Sequence, residues 1–338
     1  MHFKKFNTLK SDVIFIDGIS GTGKSLISPV ISGMTGVEKQ KLEEVFPDIC
    51  ILHKYGKITD DACSFLINKY TDLYQYNSLI GREVNLRWGD DSGIKNNPDV
   101  WKYFTRLFAK EGSQVINKIN NENLALNILS NDIILADDLL FKTLKNRMKM
   151  IEMVRHPLYM VAHWTSFFSR FDQTRIFNLS TEYKGSKLPW FISDNQDKFL
   201  LLNNTEKAIY SIHFLYEELF TKLDNHKYRD QILLLSFEEC CMDTKRILKT
   251  LEDFLGRKHS NRLSSILKKQ KLPRKQINQG KGLKKYGFKK STFKTEECQY
   301  NALMSSYEND VSIDTITKLL HCIDRYNKNF PSILSNFG

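Results

Sequence analysis

The residues best suited to chemistry lie near the start of this 338-residue chain, in the run at 12–29 (DVIFIDGISGTGKSLISP). From Gly18 onward the run fits GxxxxGKS, with Gly18, Gly23, Lys24 and Ser25 in the fixed places. Glycines let a chain curl so that several backbone N–H groups point at one phosphate, and a lysine adds a full positive charge. The hydroxyl of Ser25 can hold a metal ion or another phosphate oxygen. The motif therefore predicts a site for the phosphate or sulfate groups of a nucleotide.

A strand and a helix must flank such a loop. Residues 13–16 form a short apolar run rich in β-branched side chains, which is typical of a buried parallel strand. Leu26, Ile27 and Val30 follow the loop with helical spacing. A helix that begins here would add about half a positive charge from its N-terminus. The strand, loop and helix start together favour nucleotide binding over a plain glycine turn between two core elements.

The rest of the chain alternates between apolar runs and helical patterns, which predicts a single α/β domain over residues 1–338. Its fold class is expected to be a three-layer P-loop fold, with a central, mainly parallel sheet flanked by helices. Residues 170–203 lose periodicity, and we interpret them as a lid or substrate insertion. Further strands are predicted at 35–38, 133–136, 149–154 and 231–236, and further helices at 60–79, 98–111, 158–168, 205–224 and 237–255.

Positive charge is concentrated in one segment. Residues 257–294 contain 14 Lys and Arg residues and no Asp or Glu, whereas the net charge of the whole chain is +11. The remaining chain is therefore slightly acidic. A basic run of this kind is a solvated face, a tail for nucleic acid, or a loop that closes over a polyanionic ligand. Glycines at 280, 282 and 287 lie between its lysines and suit a loop that wraps phosphates.

Composition excludes several classes of protein. No apolar run approaches the roughly 20 residues that cross a bilayer, so no transmembrane segment is predicted. The N-terminal residues lead directly into the first strand and leave no room for a signal peptide, so a cytoplasmic location is expected. The six cysteines show no CxxC spacing and no framework. Reduced thiols are therefore expected rather than disulfides or a metal site.

Acidic residues follow two of the predicted strands, where open α/β sheets place their ligands. Glu38 ends the strand predicted at 35–38 and would share the sheet edge with the phosphate loop. Asp137 and Asp138 follow the strand predicted at 133–136. In a phosphotransferase they would hold magnesium, and otherwise they cap the next helix; capping is favoured.

The order of these motifs resembles that of the sulfotransferases that use 3′-phosphoadenosine-5′-phosphosulfate (PAPS). The tripeptide at 20–22 (SGT) is similar to that family's 5′-phosphosulfate loop. The tripeptide at 155–157 (RHP), between a strand and a helix, resembles its 3′-phosphate motif. Residues 232–256 resemble the family's unit of strand, Phe-Glu, helix and Phe-Leu-Gly. Order and spacing match over roughly residues 10–290.

The resemblance implies which residues hold the donor PAPS and, after reaction, the product 3′-phosphoadenosine 5′-phosphate (PAP). They are Gly18, Ser20, Gly21, Thr22, Gly23, Lys24, Ser25, Arg155, His163, Lys281 and Gly282. The pattern departs from the family at three places. Ile19 replaces a lysine of the cytosolic sulfotransferases, while Lys24 lies where nucleotide kinases have theirs. His163 replaces a serine, although an imidazole can also donate to a 3′-phosphate. The family's C-terminal Arg-Lys-Gly is not literally present.

The activity implied by the resemblance is in-line transfer of a sulfuryl group from PAPS to a hydroxyl or amine of a carbohydrate or small molecule, without a metal ion. Lys24 and the loop amides would stabilise the developing charge. Glu38 is the predicted base, since several branches of the family have a glutamate at the end of the second strand. A charge at the N-terminus of the next helix is an equally good explanation of Glu38. Glu83, in the polar loop at 81–93, and His53 are reserve candidates.

Two other functions compete with sulfuryl transfer. A P-loop kinase of a small metabolite would use ATP, the complete GKS motif and magnesium held by Asp137 and Asp138. A nucleotide-regulated nucleic-acid binder would use the basic segment. The favoured interpretation has a nucleotide cosubstrate and a small acceptor as partners, and no nucleic acid.

Overall fold

The computed structural model describes residues 1–6, 8–88, 93–96, 99–174, 178–277 and 293–331. Its strands are β1 Val13–Asp17, β2 Lys41–Leu42, β3 Leu126–Leu129, β4 Met148–Val154, β5 Ser180–Tyr183, β6 Ser186–Pro189 and β7 Ile232–Ser236. Its helices are α1 Lys24–Ser32, α2 Val45–Lys54, α3 Asp60–Leu79, α4 Val100–Thr105, α5 Ser113–Asn121, α6 Ile133–Ala136, α7 Leu139–Leu144, α8 Leu158–Phe168, α9 Gln196–Leu201, α10 Asn204–Asp224, α11 Phe237–Met242, α12 Thr244–Leu255, α13 Leu263–Gln270, α14 Glu296–Asp310 and α15 Ile313–Asn329.

The described strands form a parallel sheet in the order β2-β3-β1-β4-β7, with a separate antiparallel hairpin of β5 and β6. This arrangement confirms the predicted α/β class with a central parallel sheet flanked by helices. All five residues of β1 are buried, as the apolar run predicts for the middle of a parallel sheet. Since the strands are parallel, their carboxyl ends meet at one edge, and the phosphate loop follows β1 at that edge.

Helices cover both faces of the sheet. Successive side chains of a strand point to opposite faces, and β1 shows this directly. Val13 and Phe15 pack into a core shared with α2, α3, α8 and α10, whereas Ile14 and Ile16 pack into a second core shared with α1 and α12. The apolar faces of the helices thus pack into two cores, one on each side of the sheet.

The strand predicted at 133–136 was wrong. These residues form the single-turn helix α6, and the strand that pairs with β1 is β3, at Leu126–Leu129. The backbone N–H groups of Ile133 and Ile134 donate to the carboxylate of Asp17. The Asp17 side chain, distant in sequence, therefore accepts from N–H groups that would pair with a neighbouring strand if residues 133–136 were a strand. These residues form a helical turn instead.

The strand predicted at 35–38 was also wrong. Only Val37 forms a bridge there, with Ala125, and the paired strand β2 lies further on, at Lys41–Leu42. The helix predicted at 98–111 is shorter: α4 is followed by a 3-10 turn at Arg106–Phe108. The helix predicted at 60–79 and the strands predicted at 149–154 and 231–236 are confirmed within one residue at each end.

The segment at 170–203, predicted as a lid or insertion, contains the β5–β6 hairpin and α9. Trp190 and Phe191, which follow the hairpin, are buried and join the core beside α8. The segment is therefore anchored to the domain by aromatic packing. Among the residues described, no helix is both long and apolar enough to cross a membrane.

Candidate active site

The phosphate loop is held in a fixed shape by its surroundings. Gly18, Gly21 and Gly23 all have positive φ (131°, 92° and 89°), a conformation that side chains with a Cβ rarely adopt. A Cβ at Gly18 would collide with the backbone carbonyl of Met153 on β4, and one at Gly23 would collide with the ring of Phe237. The glycines are therefore required both by conformation and by space, as the motif predicts.

Lys24 is the first residue of α1 and is 8% exposed. Its ammonium donates to the carbonyl oxygens of Gly18 and, at 2.9 Å, of Ile19. Burial lowers the pKa of Lys24, and the charges of Asp17, Asp132 and Glu152 oppose that shift. The lysine thus lies inside the loop with carboxyl groups around it.

Two of these carboxyl groups lie side by side in the sheet. Asp17 on β1 pairs in register with Glu152 on β4, and both side chains are buried. Burial raises the pKa of both groups, whereas the charge of Lys24 lowers it. Asp17 also accepts from the Ser130 hydroxyl (3.0 Å) and the Ile133 N–H (2.8 Å). Its carboxylate therefore ties the end of β3 to the base of the phosphate loop.

Asp132 is the carboxyl group that the sequence analysis missed. It lies two residues beyond Ser130 at the carboxyl end of β3, with φ 61°. Its Oδ2 accepts from the Trp190 indole (3.4 Å), and its enclosed Oδ1 has no hydrogen-bond partner. Burial, followed by the charge of Asp17, raises the pKa of Asp132 to about 7. Asp132 can therefore exchange a proton near neutral pH.

The misplaced strand explains why Asp132 was overlooked. With a strand predicted at 133–136, the acids that follow a predicted strand are Asp137 and Asp138. In the structure Asp137 accepts from the Leu139 N–H (2.9 Å) and pairs with His53, while Asp138 lies 3.2 Å from His226. The favoured interpretation is confirmed for Asp137, which accepts from the first N–H of α7, whereas Asp138 at the N-cap position makes no side-chain capping hydrogen bond. A polar run, Ser-Asn-Asp, after an apolar stretch was the available signal for Asp132.

Arg155 follows β4 and lies against the phosphate loop. Its guanidinium donates to the Gly21 carbonyl (3.3 Å), and its central carbon lies 4.4 Å from the centre of the Phe237 ring. The guanidinium of Arg274 lies 5.5 Å from the same ring. The backbone of Arg155 is fixed by the hydroxyl of Tyr216, which accepts from its N–H (3.0 Å). Two fixed positive charges thus share one aromatic ring beside the loop.

The two histidines of this region have different surroundings. His163 Nε2 lies 3.1 Å from the Ser20 hydroxyl, and its ring faces Gly21. Burial, then the charge of Arg155, lowers the pKa of His163 to about 4, so the ring is neutral. His156 is buried next to Arg155 in the chain, and its backbone N–H donates to Glu238 (3.1 Å). His163 therefore contacts the phosphate loop, whereas the backbone of His156 is held by Glu238.

Glu38, the predicted base, has an environment that does not suit proton transfer. Its carboxylate is fully buried and accepts from the Arg106 guanidinium through both oxygens, from Tyr103 (2.9 Å) and from Lys102 (3.3 Å). Although burial raises it, the hydrogen bonds and charge of Arg106 hold the pKa of Glu38 at about 2. A carboxylate so weakly basic and so fully paired is a poor general base.

The reserve candidates are also paired. Glu83 forms an ion pair with Lys41 (2.6 Å), and His53 lies between Asp60 and Asp137. Lys281 and Gly282 lie outside the described residues. In the described part of the basic segment, Arg257 pairs with Asp12, whereas Arg274 lies over the Phe237 ring beside the phosphate loop.

Comparison with known proteins adds one firm result. The family model described as "Sulfotransferase domain" matches residues 65–319, more than half of the chain. The match includes Arg155 and His163, whereas the phosphate loop precedes it. No curated protein matches the chain.

Several solved sulfotransferase structures are similar to this chain, all at low sequence identity and with TM-scores of 0.40 or less. The sulfotransferase domain from the curacin biosynthetic pathway is 12% identical, with a TM-score of 0.40 over 76% of this chain and 77% of that one. The sulfotransferase domain of the Synechococcus olefin synthase is also 12% identical, with a TM-score of 0.40 over 92% and 100%. A mouse sulfotransferase complexed with PAP is 14% identical, with a TM-score of 0.37 over 77% and 64%. The family match is sufficient by itself: this chain belongs to the sulfotransferase family.

Proposed function

We propose that this protein transfers a sulfuryl group from PAPS to a hydroxyl or amine of a carbohydrate or small-molecule acceptor, without a metal ion. One observation carries the proposal beyond family membership. Arg155 contacts the Gly21 carbonyl, so a second cation stands at the same loop as Lys24. A donor with a phosphosulfate and a separate 3′-phosphate needs cations at two places, whereas ATP has no 3′-phosphate for Arg155 to bind.

The residues present fit such a donor. Gly21 and Gly23 have positive φ, which lets the loop curl so that its backbone N–H groups can point at one anion. Lys24 and Ser25 begin α1, whose first N–H groups have no partner within the helix. We assign these groups to the 5′-phosphosulfate. Arg155, supported by His163, is assigned to the 3′-phosphate; Lys281 and Gly282 remain predicted contributors.

The acceptor's proton needs a base, and we propose Asp132 in place of Glu38. Its pKa of about 7 lets it take a proton near neutral pH, and it is coupled to Lys24 by charge. The acceptor oxygen or nitrogen forms a bond to sulfur as the bond from sulfur to the 5′-phosphate oxygen breaks. Asp132 takes the acceptor's proton, and Lys24 stabilises the negative charge on the departing oxygen. PAP and the sulfated acceptor are the products.

The decisive measurement is thermal stabilisation by PAP compared with ADP and magnesium. A ligand at one hundred times its dissociation constant adds about 2.7 kcal/mol to the unfolding free energy. We expect this from PAP, and a smaller effect from adenosine 5′-phosphosulfate, which lacks the 3′-phosphate. Stabilisation by ADP with magnesium but not by PAP would reverse the assignment and favour the P-loop kinase, which the complete GKS motif supports.

A further inference from the structure

A cluster of three metal-ligating side chains lies where α10 packs against α15. His213 and Glu217 are four residues apart on α10 and therefore share one face of that helix. His321 approaches from α15. One ligand atom from each residue lies within 4.8 Å of the other two, and within the described part of the chain no other three-residue group of His, Cys, Asp or Glu meets this distance.

Two polar atoms of this cluster are buried without a hydrogen bond. They are Nδ1 of His213 and Oε1 of Glu217. An imidazole nitrogen such as Nδ1 of His213 is a common metal ligand. Nδ1 of His321 lies 3.4 Å from the same Oε1. Buried polar atoms without partners are uncommon in proteins, and a bound cation would satisfy both lone pairs at once.

We propose that His213, Glu217 and His321 bind one divalent transition-metal ion, with zinc the best match. Two imidazoles and one carboxylate form a nitrogen and oxygen donor set that suits zinc, whereas magnesium and calcium prefer oxygen ligands alone. The side chain of His321 is 58% exposed, which leaves the outer side of the site open to a water molecule as fourth ligand. A site with three protein ligands and water is a common zinc arrangement.

The surroundings of Glu217 agree with this assignment. Arg325 donates to Oε2, and its other terminal nitrogen donates to Thr221 (3.1 Å). The arginine therefore orients the carboxylate and leaves Oε1 for the metal, as outer partners of metal ligands commonly do. Ligand atoms of tetrahedral zinc lie about 3.3 Å apart, given metal–ligand bonds of about 2.0–2.1 Å. The ligand atoms of the cluster lie within 4.8 Å of one another, and rotation of the exposed His321 side chain can shorten its distances to the other two ligand atoms.

Such an ion would connect two helices that support the Arg155 region. On α10, Tyr216 fixes the backbone of Arg155. On α15, Tyr326 donates to Glu238 (2.6 Å), which in turn accepts from the His156 N–H. A metal bridge between α10 and α15 would hold both tyrosines in place. Metal binding itself does not depend on the proposed sulfuryl transfer and can be measured without substrate.

The test is titration of the chelator-treated full chain with ZnCl2 by calorimetry, and with CoCl2 by visible absorption. We expect one equivalent of zinc and the intense absorption bands of tetrahedral cobalt. His321→Ala should lower zinc affinity at least tenfold without disturbing the core, because this side chain is exposed. Cys298→Ser is the matched control, since Cys298 is an exposed thiol outside the cluster.

Zinc should also raise the unfolding temperature of the unmodified chain and of Cys298→Ser, but not that of His321→Ala. His213→Ala should lose as much zinc affinity as His321→Ala. If His213→Ala does not fold, the result for His321→Ala alone tests the proposal. The proposal fails if the chain binds no zinc, if His321→Ala binds zinc as tightly as the unmodified chain, or if Cys298→Ser abolishes binding.

Discussion

Lys24 and Arg155 both border the phosphate loop, but their surroundings differ. Lys24 is buried beside Asp17, Glu152 and Asp132, and it donates to carbonyl oxygens of its own loop. Arg155 lies against the ring of Phe237, with the guanidinium of Arg274 on the same ring. We call the first group of residues the Lys24 end of the site and the second the Arg155 end.

The two ends are suited to different tasks. At the Lys24 end several carboxyl groups have raised pKa values, and that of Asp132 is near 7, so protons can be exchanged under physiological conditions. At the Arg155 end the two guanidinium groups supply N–H donors and positive charge but no acceptor. The nearby Glu238 has its pKa raised by burial, which weakens its ability to neutralise Arg155. This difference supports our proposal that the Lys24 end carries out the chemistry and the Arg155 end recognises the donor.

The largest expected effect is that of Lys24→Met. Removing the ammonium takes away the cation that we propose stabilises the departing oxygen, so turnover should fall by about 10³. Lys54→Met is a matched control, because Lys54 also donates to a backbone carbonyl, that of Leu135, away from the loop. Steady-state kinetics with both variants would check this. Equal losses in the two variants would show that Lys24 acts only through the fold.

Glu38→Gln should affect stability rather than turnover. The change leaves the buried Arg106 without its counter-charge, which costs about 3 kcal/mol of unfolding free energy. Because the folded pKa of Glu38 is about 2, below its usual 4.5, its stabilising contribution is present above pH 4.5 and is lost as pH falls towards 2. Urea unfolding at pH 7 and pH 3 would measure both effects. A stable variant with abolished turnover would restore Glu38 as the base.

Asp132→Asn, like Glu38→Gln, replaces a carboxylate with an amide, but at the Lys24 end of the site. It should lower turnover and leave stability intact, whereas Glu38→Gln should lower stability and leave turnover intact. Turnover at pH 8 should fall by about 10², and the rise in activity through about pH 7 should disappear. The folded pKa of Asp132 is raised from 3.8 to about 7, so the unmodified protein loses stability as pH rises through that window. The variant should therefore resist urea better than the unmodified protein at pH 8. Unchanged turnover would place the base elsewhere.

Arg155→Ala has the smallest expected effect and tests the Arg155 end. Loss of a charge-assisted contact should weaken PAP binding by about 2 kcal/mol, or roughly 30-fold. Affinity for adenosine 5′-phosphosulfate should change less than threefold, because that ligand has no 3′-phosphate. Calorimetric titration with both ligands separates the cases. If both affinities fall equally, Arg155 supports the loop instead of reading the 3′-phosphate.

Local patterns were enough to predict most of the sheet and the phosphate loop. They failed where a distant residue decides the structure. β3 was missed because Asn127 interrupts its apolar run, although that side chain is buried and donates to Ser32 across the chain (3.0 Å). The helical turn of α6 depends on Asp17, and the pairing of Glu38 depends on Arg106. Neither partner can be identified from spacing alone.

The position of Phe237 in the sequence affects when the phosphate loop can take its final shape during synthesis. Its ring supports Gly23 and Arg155, yet it is encoded far downstream of both. A chain emerging from the ribosome therefore presents the complete glycine motif long before the ring that shapes it exists. Until β7 joins the sheet, Gly23 and Arg155 lack the ring that they contact in the folded protein. We therefore expect the proposed nucleotide site to form late in folding, after β7 has paired with β4.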